Sequence, residues 1–63
     1  MTNKVKEYRK LLGLTQDELA QKLSVTRQTI NAMENNKYNP TLELAIKTAT
    51  FLGVPIEQLY FLD

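Results

Sequence analysis

The chain has 63 residues, 43% of them apolar and 24% charged, with a net charge of +1; that is one small domain with room for one core, and the balance of a soluble globular chain. It contains no cysteine and no histidine, which excludes disulfides, thiol nucleophiles, zinc fingers and the usual near-neutral general base, so that any metal site would be all-oxygen. No apolar stretch approaches the roughly 18 residues of a spanning helix, and the first residues lack the apolar core of a signal peptide, so the expectation is a cytoplasmic protein without membrane contact.

Charge is unevenly spread. From Met1 to Pro40, Lys4, Lys6, Arg9, Lys10, Lys22, Arg27 and Lys37 stand against Glu7, Asp17, Glu18 and Glu34, for a net charge of +3. From Thr41 to Asp63, Lys47 stands against Glu43, Glu57 and Asp63, for −2. Without disulfide staples a core of this size is worth roughly 3–5 kcal/mol, which makes oligomerisation an expectation.

A first helix is predicted with Asn3 as N-cap, Val5, Tyr8 and Leu12 inward, and Gly13 as its stop. Thr15 and Glu18 then have the T-x-x-E spacing of a capping box, which opens a second helix with Leu19, Ala20 and Leu23 on its apolar stripe and an end near Ser24. Thr26 caps a third helix, with Ile30 and Met33 inward and Asn35-Asn36 as its stop. Residues 37–40 read as a loop. Thr41 caps a fourth helix whose stripe is Leu42, Ala45, Ile46, Ala49 and Leu52, ending at Gly53. Pro55 opens a fifth, with Ile56, Leu59 and Tyr60 inward. No segment alternates with period two, so no substantial sheet is expected and the fold class is all-α.

Residues 16–35 hold two helices across a short turn, with Ala20 permitting close approach and Leu19, Leu23, Val25, Ile30 and Met33 forming the wedge between them. At about 100° per residue, with Ile30 and Met33 inward, Gln28 and Asn35 point outward, flanked by Asn31 and Ala32, and Arg27 reaches out from the first turn. This face is built from amide and guanidinium groups, the side chains whose donor and acceptor geometry matches base edges: arginine to guanine, glutamine or asparagine to adenine. The bland alternative is a merely solvated helix face.

The run LTQDELAQKLSVTRQTINAMENNKYNP resembles the helix-turn-helix of the phage-repressor/Cro (Xre) family of transcriptional regulators, and the likeness continues through the fourth helix and Gly53-Val54-Pro55. It implies a compact five-helix, lambda-repressor-like DNA-binding domain over 1–63, with the helix-turn-helix at roughly 16–35. One departure is Ser24, where the family often has glycine; if the turn needs a positive φ, serine costs about 1 kcal/mol.

The resemblance implies a sequence-specific regulator of double-stranded DNA, a repressor, with the third helix in the major groove. Arg27, Gln28, Asn31 and Ala32 are the candidate base contacts. Gln16, at the start of the second helix, is expected by family analogy to straddle a backbone phosphate, with Thr26, Asn35, Lys37, Asn39 and Arg9 as further phosphate candidates. Family members that match at both positions pair Arg9 with Glu34, tying the first helix to the third; the alternative is two independent surface charges.

Leu44, Phe51, Phe61 and Leu62 remain after the inward positions are assigned, and Tyr60, at the end of the inner face of the fifth helix, clusters with them. They are the candidate surface of a two-fold homodimer, which would present its recognition helices roughly 34 Å apart on a palindromic operator. A rival reading is a protein-interaction module of the same fold, such as an antitoxin or scaffold subunit. The scattered carboxylates make no catalytic constellation, and no metal, cofactor or small-molecule ligand is expected.

Overall fold

The computed structural model describes residues 1–62. Two short strands and five helices follow one another: β1 (Thr2–Asn3), α1 (Val5–Leu11), α2 (Gln16–Leu23), α3 (Arg27–Glu34), α4 (Leu42–Leu52), α5 (Ile56–Leu59) and β2 (Tyr60–Phe61). The strands pair antiparallel, Thr2 opposite Phe61 and Asn3 opposite Tyr60. The expectation of no substantial sheet holds for all but this pair, which is too short for any hydrophobic period to announce it.

Three helices start where hydroxyl caps set them. Thr15 Oγ1 accepts from the Glu18 amide at 3.1 Å while the Thr15 amide donates to Glu18 Oε1 at 2.8 Å, closing the capping box of α2. Thr26 Oγ1 accepts from Thr29 N at 3.2 Å, and Thr41 Oγ1 from Leu44 N at 3.2 Å. Each satisfies an amide that the first helical turn leaves without a partner. The cap of α1 falls one residue later than expected, at Lys4. Asn3 still serves that end, because its Oδ1 accepts from Val5 N at 3.1 Å.

The turn between α2 and α3 runs through Ser24, at φ 59° and ψ 41°. A side chain therefore occupies a left-handed position that favours glycine, at a cost of about 1 kcal/mol. Val25 N donates to Ala20 O at 3.0 Å and closes the turn. Ala20 is 3% exposed at the junction of the two helices, so a larger side chain there would meet close-packed neighbours.

Val5, Leu19, Leu23, Ile30, Met33 and Leu59 are fully enclosed and draw α1, α2, α3 and α5 onto one core. Truncating any of the larger ones to alanine is expected to cost about 2–5 kcal/mol. Three inward assignments on α1 and α4 need correction. On α1, Leu12 is 54% exposed, because the helix ends at Leu11 and Arg9 takes the inner place, its charge neutralised by Glu34. On α4, Leu42 and Ile46 are exposed, and the buried face is Leu44, Ala45, Thr48, Ala49 and Leu52.

The rotation of α4 follows from Thr48. This polar residue is completely buried, and its hydroxyl donates to Leu44 O at 2.7 Å, so burial leaves no bond unmade. Helix α5 is a single turn, and Tyr60, expected on its inner face, lies instead in β2, half-buried, with its hydroxyl donating to Met33 Sδ at 3.3 Å. Burial pushes the Tyr60 phenol above its ordinary pKa.

Candidate nucleic-acid interface

Helix α3 is held from below and at both ends. Ile30 and Met33 are fully buried, Thr26 caps its start, and Asn3 Nδ2 donates to Met33 O at 2.8 Å and to Asn36 Oδ1 at 3.2 Å near its finish. Asn36 adopts φ 60°, a left-handed conformation that asparagine tolerates, and Lys37 N donates to Ala32 O at 2.9 Å. The helix is thus seated with little freedom to rock while its outer face stays open.

On that face Arg27, Gln28 and Asn31 are exposed and Ala32 is half-buried. Arg27 is the one cation of α3, whose first turn contains no acidic residue. Asp17, at the start of α2, stands 3.6 Å from Arg27 Nε with both side chains mostly in solvent. An exposed pair at that distance is weak, so Arg27 remains free to turn toward another anion.

The phosphate candidates fall into two groups. Thr26, Asn35, Lys37 and Asn39 are exposed, Thr26 with its oxygen engaged in capping and Asn35 donating to Asn31 O at 2.9 Å. Gln16 is half-buried at the first position of α2. Its Nε2 donates to Glu34 Oε1 at 3.0 Å.

Arg9 is withdrawn from the phosphate set. Its Nε donates to Glu34 Oε2 at 2.7 Å, its Nη2 to Glu34 Oε1 at 3.2 Å and its Nη1 to Leu14 O at 2.7 Å, with the side chain 9% exposed. A guanidinium so committed and so enclosed has no face left for a phosphate. The structure does bring Arg9 and Glu34 together, as a two-pronged pair between α1 and α3.

Among the residues expected at a dimer surface, Leu44 is buried in its own chain at 7% exposure, a consequence of the rotated α4. Phe51 and Leu62 are exposed, whereas Tyr60 and Phe61 are half-buried, with Lys4 Nζ 5.8 Å from the centre of the Phe61 ring. Sequence reasoning missed Leu42 and Ile46 as surface apolar residues. It also missed the cleft of about 360 Å³ lined by Lys22, Leu23, Ile46, Lys47, Thr50 and Phe51. The signal for both was the spacing of Leu44, Thr48 and Leu52, read as a stripe only if threonine is allowed inside.

The capping-box carboxylate is electrostatically distinct: hydrogen bonds from the Thr15 main chain and side chain hold Glu18 below its ordinary pKa. Among the described residues no group of three or more acidic, histidine or cysteine side chains is placed to hold a metal ion. None of the described helices is long and apolar enough to cross a membrane.

A helix-turn-helix family (HTH_3) matches residues 5–59 of the chain. An uncharacterized HTH-type transcriptional regulator of Methanocaldococcus jannaschii is 54% identical over 63 residues, spanning 100% of this chain and 96% of its own. The restriction-modification controller protein C.AhdI from Aeromonas hydrophila superimposes with a TM-score of 0.80 at 28% identity, over 89% of this chain and 85% of that one. The master regulator for biofilm formation SinR, solved in complex with DNA, superimposes with a TM-score of 0.76 at 31% identity, over 84% of this chain and 86% of that one.

Proposed function

Since the chain belongs to the helix-turn-helix family of DNA-binding transcriptional regulators, which are not enzymes, we propose that it is a sequence-specific repressor whose α3 lies in the major groove. The observation that carries this reading is the outer face of α3, where Arg27, Gln28 and Asn31 stand in solvent on a helix fixed by fully buried Ile30 and Met33. Arginine and amide side chains on a rigid support supply the paired donors and acceptors that base edges require. Arg27 and Gln28 lead this readout, with Asn31 and Ala32 behind them.

Gln16, Thr26, Asn35, Lys37 and Asn39 are the proposed phosphate contacts, which set register and contribute much of the affinity. Residues 1–63 act as one DNA-binding unit, in the cytoplasm where its partner is. A homodimer on a palindromic operator is supported by the exposed apolar side chains of Leu42, Ile46, Phe51 and Leu62.

The test is selection of duplex oligonucleotides from a random library by the purified chain, followed by titration at several salt concentrations. A shared motif with inverted symmetry, bound with an affinity that falls steeply as salt rises, is the expected result. Retention of all sequences alike would remove the base-reading assignment.

A further inference from the structure

The polar side chains under the outer face of α3 form one directed chain of hydrogen bonds. Gln16 Nε2 donates to Glu34 Oε1 at 3.0 Å, Asn31 Nδ2 to Gln16 Oε1 at a long 3.5 Å, and Asn35 Nδ2 to Asn31 Oδ1 at 3.3 Å. Both ends are fixed by groups that only accept. At the inner end is the Glu34 carboxylate, 2% exposed and gripped by Arg9; at the outer end the Asn31 main-chain carbonyl holds Asn35 Nδ2 at 2.9 Å.

A carboxylate cannot donate, so Gln16 must turn its NH2 toward Glu34 and its oxygen toward Asn31. Asn31 must then point its own NH2 at Gln16. We propose that Glu34 is a positioning residue for base readout: through Gln16 it fixes the amide orientation of Asn31 and thereby the base preference of that position. The inference rests on the DNA-binding reading above. Asn31 retains one N–H and one lone pair outside the chain, the pair of groups an asparagine presents to adenine. Which of them lies on which side is set jointly by Asn35, which donates to Asn31 Oδ1, and by Glu34, two side chains away.

Replacing Glu34 by glutamine preserves size and reverses this order. Its remaining oxygen is claimed by Arg9 Nε, so its NH2 takes the place of Oε1, gives up the bond from Arg9 Nη2, and faces Gln16, which must turn over and present an N–H to Asn31. Asn31 then has to direct its oxygen inward and its NH2 against that of Asn35, which the main-chain carbonyl holds in place. The conflict falls on the residue proposed to meet a base.

The experiment compares base-preference profiles from oligonucleotide selection for wild type, Glu34→Gln, Gln16→Leu and the double variant, with Asn31→Ala marking the base pairs that Asn31 reads. Gln16→Leu leaves the Arg9–Glu34 pair intact and decides the matter if Glu34→Gln does not fold. Each single variant is expected to flatten preference at the Asn31 base pairs by about fivefold or more, and to leave the positions read by Arg27 and Gln28 within about twofold. The double variant is expected to go no further than Gln16→Leu alone, because both act through one link.

Loss of a phosphate contact, or of folded protein, lowers binding to all sequences by one factor and leaves the profile unchanged. An unchanged profile in Gln16→Leu therefore overturns the positioning role, as do independent, multiplying losses in the double variant. A wild-type chain that selects no sequence overturns the DNA reading itself, and the proposal with it.

Discussion

Arg9 Nε lies 2.7 Å from Glu34 Oε2, and the two side chains are only 9% and 2% exposed, so an enclosed charge pair ties α1 to α3. Breaking such a pair from one side leaves the other charge buried and uncompensated, at a cost of about 3–5 kcal/mol. That is the whole stability expected of a core this small. Glu34→Ala and Arg9→Ala are accordingly expected to be largely unfolded at room temperature, and the paired change Arg9→Met with Glu34→Leu to recover much of the loss. Urea denaturation followed by circular dichroism measures this, and a well-folded Glu34→Ala would contradict it.

Removal of the proposed base contacts separates readout from attraction. Arg27→Ala and Gln28→Ala should each cost roughly 1–3 kcal/mol on the selected operator and relax base preference, whereas Lys37→Ala should weaken every sequence alike and reduce the salt slope by about 1. Titrations on operator and random duplexes at matched salt distinguish the two patterns. Equal losses on both duplexes for Arg27→Ala would take that residue out of base reading.

Asp17 bears on the same site with the opposite sign. It lies 3.6 Å from Arg27 and shares with Gln16 the start of α2, the proposed phosphate-facing end. Its neutralisation in Asp17→Asn frees the guanidinium and removes repulsion from phosphates. Affinity for all duplexes should rise by a few-fold at low salt, with the gain shrinking as salt screens it; a drop in affinity would mean that Asp17 orients Arg27 productively.

The capping box makes stability depend on acidity. The folded chain holds the Glu18 carboxyl below its ordinary pKa, so its contribution is fully present above the unfolded value of about 4.3 and is lost as pH falls through the lower folded value. The advantage of wild type over Glu18→Gln should therefore be largest near neutrality and fade in acid. Thermal melts of both proteins across that range test it, and a constant difference would rule out the carboxylate as its source.

Ser24 offers a change in the favourable direction. It sits at φ 59° in the turn of the helix-turn-helix, so Ser24→Gly should stabilise the chain by about 1 kcal/mol while leaving the operator profile unchanged. A melt at equal or lower temperature would show that the serine compensates by means other than backbone conformation.

What could be read beforehand divides along the range of the interactions. Thr15, Thr26 and Thr41 start their helices as expected because a cap is a contact between residues three apart, written locally in the chain. The outward set Arg27, Gln28 and Asn31 follows from the helical angle once Ile30 and Met33 are fixed inside. The phase of α4 was not legible, because Thr48 looks like a surface residue until its hydroxyl is seen to bond Leu44 O within the same helix. Nor was the bond from Gln16 to Glu34, which joins residues 18 apart across two helices and leaves no periodic trace.

The antiparallel seam of residues 2–3 with 60–61 has a kinetic implication. It joins segments near the two ends of the described residues, so closing it costs much loop entropy and gains only a few main-chain bonds, among them Lys4 N to Leu59 O at 2.9 Å. The seam is thus expected to be the last part to knit during refolding and the first to fray on warming, a latch rather than a foundation. Asn3 lies in it and also grips the end of α3, so the opening of this latch would loosen the recognition helix before the core itself gives way.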